Sequence, residues 1–286
     1  MGWIKVSDEG TSSPFIARIF MGMLVLRDQL YLMNIDSDSQ NNARDKFDKQ
    51  FNPMFEAAQA TRDAGKNLIG NFNDYFSSIK SGDSVKIENG QIQVIRTIDT
   101  ELIQDVNKTI DQSVIAIKSA LQKILKKMFA IDIGFLFQKE DIFNDGIKTL
   151  RDKSEEPLAE YLIAVRSNWL WELLTLRNAI EHEGWVLDRI EYYFGQNRIA
   201  VKIPEINGVP VNIYVSQTVN RVLLFIENMM VFGMQQFPRY PLFVTEIPKE
   251  QRNPKSPERF RLSTFGLEEV IPWSIRYSEE SDFLQY

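Results

Sequence analysis

Two apolar stripes at helical spacing constrain the fold of this chain more than any other feature. Leu102, Val106, Ile110, Val114, Ile117, Leu121, Ile124 and Met128 recur at steps of three and four. That spacing lines one face of an α-helix, a face that has to be buried against another element. Leu158, Leu162, Val165, Trp169, Leu173, Leu176 and Ile180 step by four, three, four, four, three and four. This second stripe is a seam fitted to pack on a further helix. The expected fold class is therefore mainly α, a helical bundle carrying two inserted β-hairpins.

Punctuation between the stripes divides the chain. A helix is expected from Ser12-Ser13-Pro14, with the proline in its first turn, to about Leu32. Asp36 to Asn42 is polar and serine-rich and reads as a loop. A helical stretch follows from about Ala43, with Pro53 near a break or kink. Val85-Lys86-Ile87 and Ile92-Gln93-Val94-Ile95 flank Glu88-Asn89-Gly90-Gln91, and Asn-Gly between alternating segments predicts a hairpin. Phe135 to Lys153 reads as a shorter helical region. Ser154-Glu155-Glu156-Pro157 reads as a serine cap, an acidic first turn and an early proline. Gly184 is the expected left-handed terminator of the seam helix. A second hairpin is expected where Ile199–Ile203 and Val211–Val215 enclose Asn207-Gly208, with an apolar helix over about Gln217 to Gln236. On these signals residues 1–97 form an N-terminal helical region with a hairpin, and residues 98–240 a helical domain. Residues 241–286, rich in proline and charge, form a C-terminal tail or arm.

Composition narrows the chemistry. Of 286 residues 44% are apolar and 25% charged, close to a soluble globular average. Cysteine is absent and histidine occurs once, which excludes disulfides, a thiolate nucleophile, a cysteine zinc site and a multi-histidine metal site within one chain. A carboxylate-only magnesium site stays open. The net charge of −6 argues against a constitutive, sequence-blind nucleic-acid binder, so any nucleic-acid contact has to be local. Lys123, Lys126 and Lys127 on a predicted helix are one such basic stretch. Lys249, Arg252, Lys255, Arg259 and Arg261 are the other. Both also read as ordinary solvated charge. Asp8 and Glu9 argue against a secretory signal, and Arg18, Arg27 and Asp28 interrupt the apolar run Phe15 to Met33, which argues against a membrane span. A soluble, cytoplasmic protein is expected.

The chemistry-bearing segment is Leu176-Arg177-Asn178-Ala179-Ile180-Glu181-His182-Glu183-Gly184, at the end of the seam helix. His182 is the only side chain whose ordinary titration suits proton transfer at neutral pH. Asn178 and His182 are four apart and share a helical face, whereas Arg177 and His182 diverge by roughly 140°. A long arginine, a frayed helix end or a second copy of the helix would bring the two together. A carboxylate from Glu181 or Glu183 touching the imidazole would favour its charged form and an acid role. Arg177 and Glu181 also form an i,i+4 ion pair in principle. Trp169 reads as core, while Trp171 lies off the seam and Trp185 beyond the helix end.

Arg177, Asn178 and His182 resemble the motif of the HEPN superfamily: an arginine, commonly a polar residue, then a histidine four to six positions on. The resemblance spans Ile98 to Phe237. It implies a metal-independent endoribonuclease, without cofactor, that acts as a homodimer with a composite active site. It further implies that Arg177 holds the scissile phosphate, that His182 is the general acid–base and that Asn178 orients His182 or the phosphate. Glu181, Trp185, Lys123, Lys126 and Lys127 are weaker candidates for contact with RNA. Such enzymes serve as toxins or phage-defence effectors, some under an antitoxin or regulatory partner. One toxin subset, paired with a nucleotidyltransferase antitoxin, often carries tyrosine where Gly184 stands, so that pairing is not implied. A non-catalytic helical interaction or dimerisation module is the alternative.

Overall fold

The structure is a computed structural model and describes residues 19, 22–32, 37–131, 139–195, 198–236, 242–252 and 259–264. It is mainly helical with short antiparallel two-stranded pairs inserted, as the stripes require. Helix α1 spans Gly22–Leu32 and α2 spans Ser37–Ser81. Strands β1 (Val85–Glu88) and β2 (Gln91–Val94) pair around Asn89 (φ 52°) and Gly90 (φ 74°), the left-handed pair that a tight hairpin turn needs. Helix α3 (Asp99–Leu121) runs on through a π turn, Gln122–Lys126. Helix α4 covers Glu140–Asp152. Helix α5 (Glu156–Val165) passes through a second π turn, Arg166–Leu170, into α6 (Trp171–His182).

Both stripes are buried as their spacing demands. Leu102, Val106, Ile110, Ile117, Leu121 and Ile124 are each at most 6% exposed, as are Leu158, Leu162, Val165, Trp169, Leu173 and Leu176. The central element is α7 (Val211–Met234), buried without interruption from Val222 to Met234. A helix apolar on every side belongs in the middle of a bundle, and each large apolar side chain buried there contributes roughly 1.5–3 kcal/mol. Helices α2 and α3 both pack on it. Gly65 lets α2 come close to α7: a Cβ there would lie 2.7 Å from Val219 Cγ2. Across α2 and α3, Thr61 Oγ1 donates to the Gln112 carbonyl at 2.9 Å and Asn71 Nδ2 to Asp105 Oδ2 at 2.8 Å. Among the described residues the buried apolar cluster runs from Ile19 to Phe260, across positions 97 and 240.

Several expectations are corrected. The polar run from Ser37 is the start of α2, not a loop: polar composition reports solvent contact, not the state of the backbone. Pro53 sits inside α2 without ending it. Ser154 does not cap α5: it is left-handed (φ 62°), donates its N–H to the Arg151 carbonyl at 2.9 Å and so closes α4, while Glu155 takes the N-cap position. Val211–Val215 is not a strand. It opens α7 directly after Pro210, because Val211, Tyr214, Val215, Thr218 and Val219 are buried at steps of three and four. The second large hairpin is instead β3 (Glu191–Gly195) with β4 (Arg198–Lys202), and Asn207-Gly208 turns only the small pair β5 (Glu205–Ile206) and β6 (Val209–Pro210). The proposed start of the first helix at Ser12–Pro14 lies outside the described residues.

The C-terminal segment is an ordered arm where described. Strands β7 (Leu242–Glu246) and β8 (Phe260–Thr264) pair antiparallel, and Val244 and Phe260 are buried in the core. A charged clasp fixes the arm to α7. Arg259, 3% exposed, donates to Glu227 Oε2 at 2.8 Å, to Asn228 Oδ1 at 3.1 Å and to Glu246 Oε1 at 2.7 Å. Arg252 donates to the same Glu246 oxygen at 3.0 Å. Two members of the basic C-terminal stretch are therefore turned inward by carboxylates.

Candidate functional site

The end of α6 is built so that its inner face is held and its outer face presented. Leu173, Leu174 and Leu176 are buried, Arg177 to Ile180 are half-buried, and Glu181 to Gly184 are exposed. The Glu183 and Trp185 amides both donate to the Ala179 carbonyl at 3.1 Å, and Gly184 is left-handed at φ 70°. This is the terminator expected of a helix-ending glycine. It turns the chain so that Trp185 packs against the core while Val186 stays 63% exposed. The exit strand is then pinned to the start of α3, where Asp99 Oδ1 accepts the Ile190 amide at 2.9 Å. Tyr75 of α2 hydrogen-bonds the Tyr192 hydroxyl and donates to the Arg96 carbonyl.

Within this frame Glu181 is the hub. Its Oε1 lies 2.5 Å from Arg177 Nη2, and its Oε2 lies 3.5 Å from His182 Nε2. The i,i+4 relation sets the first contact; the second is between neighbours in sequence at the last residues of α6. One carboxylate thus lies against both groups, its contact with His182 becoming an ion pair when the imidazole is protonated. Arg177 Nη1 also donates to Asn178 Oδ1 at 3.4 Å, a long and weak bond. Asn178 is therefore engaged by Arg177, not by His182. The His182 side chain is 67% exposed, against 27% for Arg177 and 32% for Glu181.

A further residue belongs to the site. Asp111, half-buried on α3, faces the pair: burial and the Glu181 charge push its carboxyl above the ordinary range, and Arg177 pulls it back. Nothing in the spacing of α3 singles Asp111 out, because it lies on a different helix from the motif.

The other candidates are not gathered here. Helix α3 starts beside the exit of α6, and Lys123 follows Asp111 by twelve residues, about 18 Å at 1.5 Å per residue. Lys123, Lys126 and Lys127 thus sit toward the far end of α3 from the motif. Trp169 is core, 5% exposed and edge-on to Phe225. Trp171 is 48% exposed and lies over the Arg166 guanidinium at 4.8 Å, with Phe143 against the same group at 4.7 Å. The described residues contain no cluster of three or more His, Asp or Glu placed to hold a metal ion, and no helix long and apolar enough to cross a membrane.

No protein-family model, curated protein or solved structure matches the chain.

Proposed function

We propose that this chain is a metal-independent endoribonuclease of the HEPN type, acting in the cytoplasm as a homodimer on RNA. The HEPN-like unit is residues 98–240. The ribose 2′-oxygen attacks the adjacent phosphorus, the bond from phosphorus to the 5′-oxygen breaks, and the products carry a 2′,3′-cyclic phosphate and a 5′-hydroxyl. Arg177 neutralises the charge that builds on the phosphoryl oxygens, a task suited to its planar fork. His182 takes the proton from the 2′-hydroxyl or gives one to the leaving 5′-oxygen. Asn178 positions Arg177, to which it is bonded. The observation that carries this reading is the shared carboxylate. Arg177 and His182 contact the two oxygens of one Glu181 group, so guanidinium and imidazole are spaced to engage one anion. A toxin or phage-defence role, with an antitoxin or other regulatory partner, follows from the resemblance alone.

One observation favours a second reading. Arg177 is already paired with Glu181 at 2.5 Å, which is what a non-catalytic interaction or dimerisation module would need at a helix end. Expression in a bacterial host separates the two. The ribonuclease reading expects wild type to fragment cellular RNA and arrest growth, and His182→Ala to do neither at equal protein level. Intact RNA and normal growth with both, joined by failure of the purified protein to cut RNA, would leave the interaction module.

A further inference from the structure

The hub carboxylate has a consequence of its own. A phosphodiester bound as proposed would place one oxygen on the Arg177 guanidinium and another near the His182 imidazole. In the free protein those two positions are held by the two oxygens of Glu181. The Glu181 side chain is a third exposed and stands on the outer surface of the helix end, so it swings toward solvent by a rotamer change without disturbing the core. Asp111, half-buried on α3, is within electrostatic reach of both Glu181 and the same guanidinium. The surroundings of Arg177 are therefore acidic, and an incoming anion has to displace a counter-ion already in place.

We infer that Glu181 is an intramolecular stand-in for phosphate, occupying the anion position between Arg177 and His182 until a phosphate group displaces it. For the identity of the phosphate as RNA this rests on the ribonuclease reading; for the competition itself it rests on the two contacts alone. A phosphodiester matches the carboxylate in charge and in the two free oxygens it offers the arginine fork, so the exchange is near balance at Arg177 and is driven by the further contacts a longer ligand makes. Glu181 is a regulating and positioning residue, not a catalytic one, since no reacting atom touches it in the proposed step. The arrangement gives a protein whose free form has little affinity for stray phosphates, and whose site opens on a ligand held by further contacts elsewhere.

The test uses a property peculiar to this chain: with one histidine, every imidazole resonance reports His182. Inorganic phosphate is titrated at fixed ionic strength into the full-length wild type, Glu181→Gln and Arg177→Ala, following the imidazole ¹H and ¹³C signals. Glu181→Gln keeps the size of the side chain and one acceptor oxygen, and removes the charge. Its phosphate Kd is expected to fall about three- to fivefold below wild type, the scale set by a partly exposed ion pair, and Arg177→Ala is expected to abolish saturable binding. An unchanged or raised Kd in Glu181→Gln overturns the inference, as does equal binding in Arg177→Ala. RNA cleavage by the same proteins keeps the two proposals apart. Tighter phosphate binding with no cleavage by any variant retains the stand-in and removes the ribonuclease. His182-dependent cleavage whose KM is unmoved by Glu181→Gln retains the ribonuclease and removes the stand-in.

Discussion

The clasp between α7 and the C-terminal arm predicts a large and specific loss of stability on replacing Arg259 with methionine. Glu227 is fully buried and Arg259 is 3% exposed, so both charges have left water. Methionine fills much of the stem volume but leaves Glu227 without its 2.8 Å partner and Asn228 without its 3.1 Å donor. Glu246 suffers less, because it is partly exposed and keeps Arg252 at 3.0 Å. Removing one member of a buried pair costs about 3–5 kcal/mol. With an unfolding entropy of roughly 2.1 cal/mol/K per residue over 286 residues, Arg259→Met should lower Tm by roughly 5–8 °C. Glu227→Gln in the same chain removes the buried charge that has lost Arg259, so the double variant should be more stable than Arg259→Met alone, with a coupling of at least about 1 kcal/mol. Calorimetry and urea unfolding of the four proteins measure this, and hydrogen exchange at β7 shows whether the arm itself loosens. A Tm for Arg259→Met within 2 °C of wild type, or a double variant whose loss is the sum of the singles, would refute the reasoning.

Other expectations follow from the packing and the site. Gly65→Ala should destabilise by about 1–3 kcal/mol despite alanine's helix propensity, because its Cβ would meet Val219 Cγ2 at 2.7 Å. Val219→Ala in the same chain should recover part of that loss in chemical unfolding. Asp111 has a carboxyl raised first by burial, then by Glu181, so its ionisation in the folded state costs stability once pH rises through its folded value. Asp111→Asn should therefore match wild type below the ordinary aspartate range and become the more stable protein as pH increases toward neutrality. Unfolding curves from pH 3 to 7 that stay parallel would contradict this. His182→Ala should leave Tm nearly unchanged, because a side chain 67% exposed at a helix end has little packing to lose.

The helices were legible wherever an apolar stripe met a buried face, and α3 and the α5–α6 run are the clearest cases. Asn89-Gly90 and Gly184 were legible because each requires a backbone conformation that few residues adopt. Polar segments were less so. Asp36 to Asn42 reads as a loop because serine and aspartate are common in loops, yet from Ser37 on the same residues form the first turns of a long helix. Val211–Val215 alternates like a strand over five residues; only the longer window to Val222 reveals the helical repeat. The clasp was hidden because Arg252 and Arg259 look like solvated charge until their partners, distant in sequence, are in view. At the site, the Arg177–Glu181 pair was readable from spacing. The bridge to His182 depends on side-chain direction, and Asp111 depends on which face of α3 meets α6, neither of which a one-dimensional pattern contains.

The most direct test of the proposed function is cleavage of several RNA classes by the purified protein in EDTA, wild type beside His182→Ala, with the product ends determined. Cleavage by wild type alone, unaffected by the chelator and leaving 2′,3′-cyclic phosphate and 5′-hydroxyl ends, is the expected result. Equal background from both proteins, or activity that EDTA removes, would contradict it.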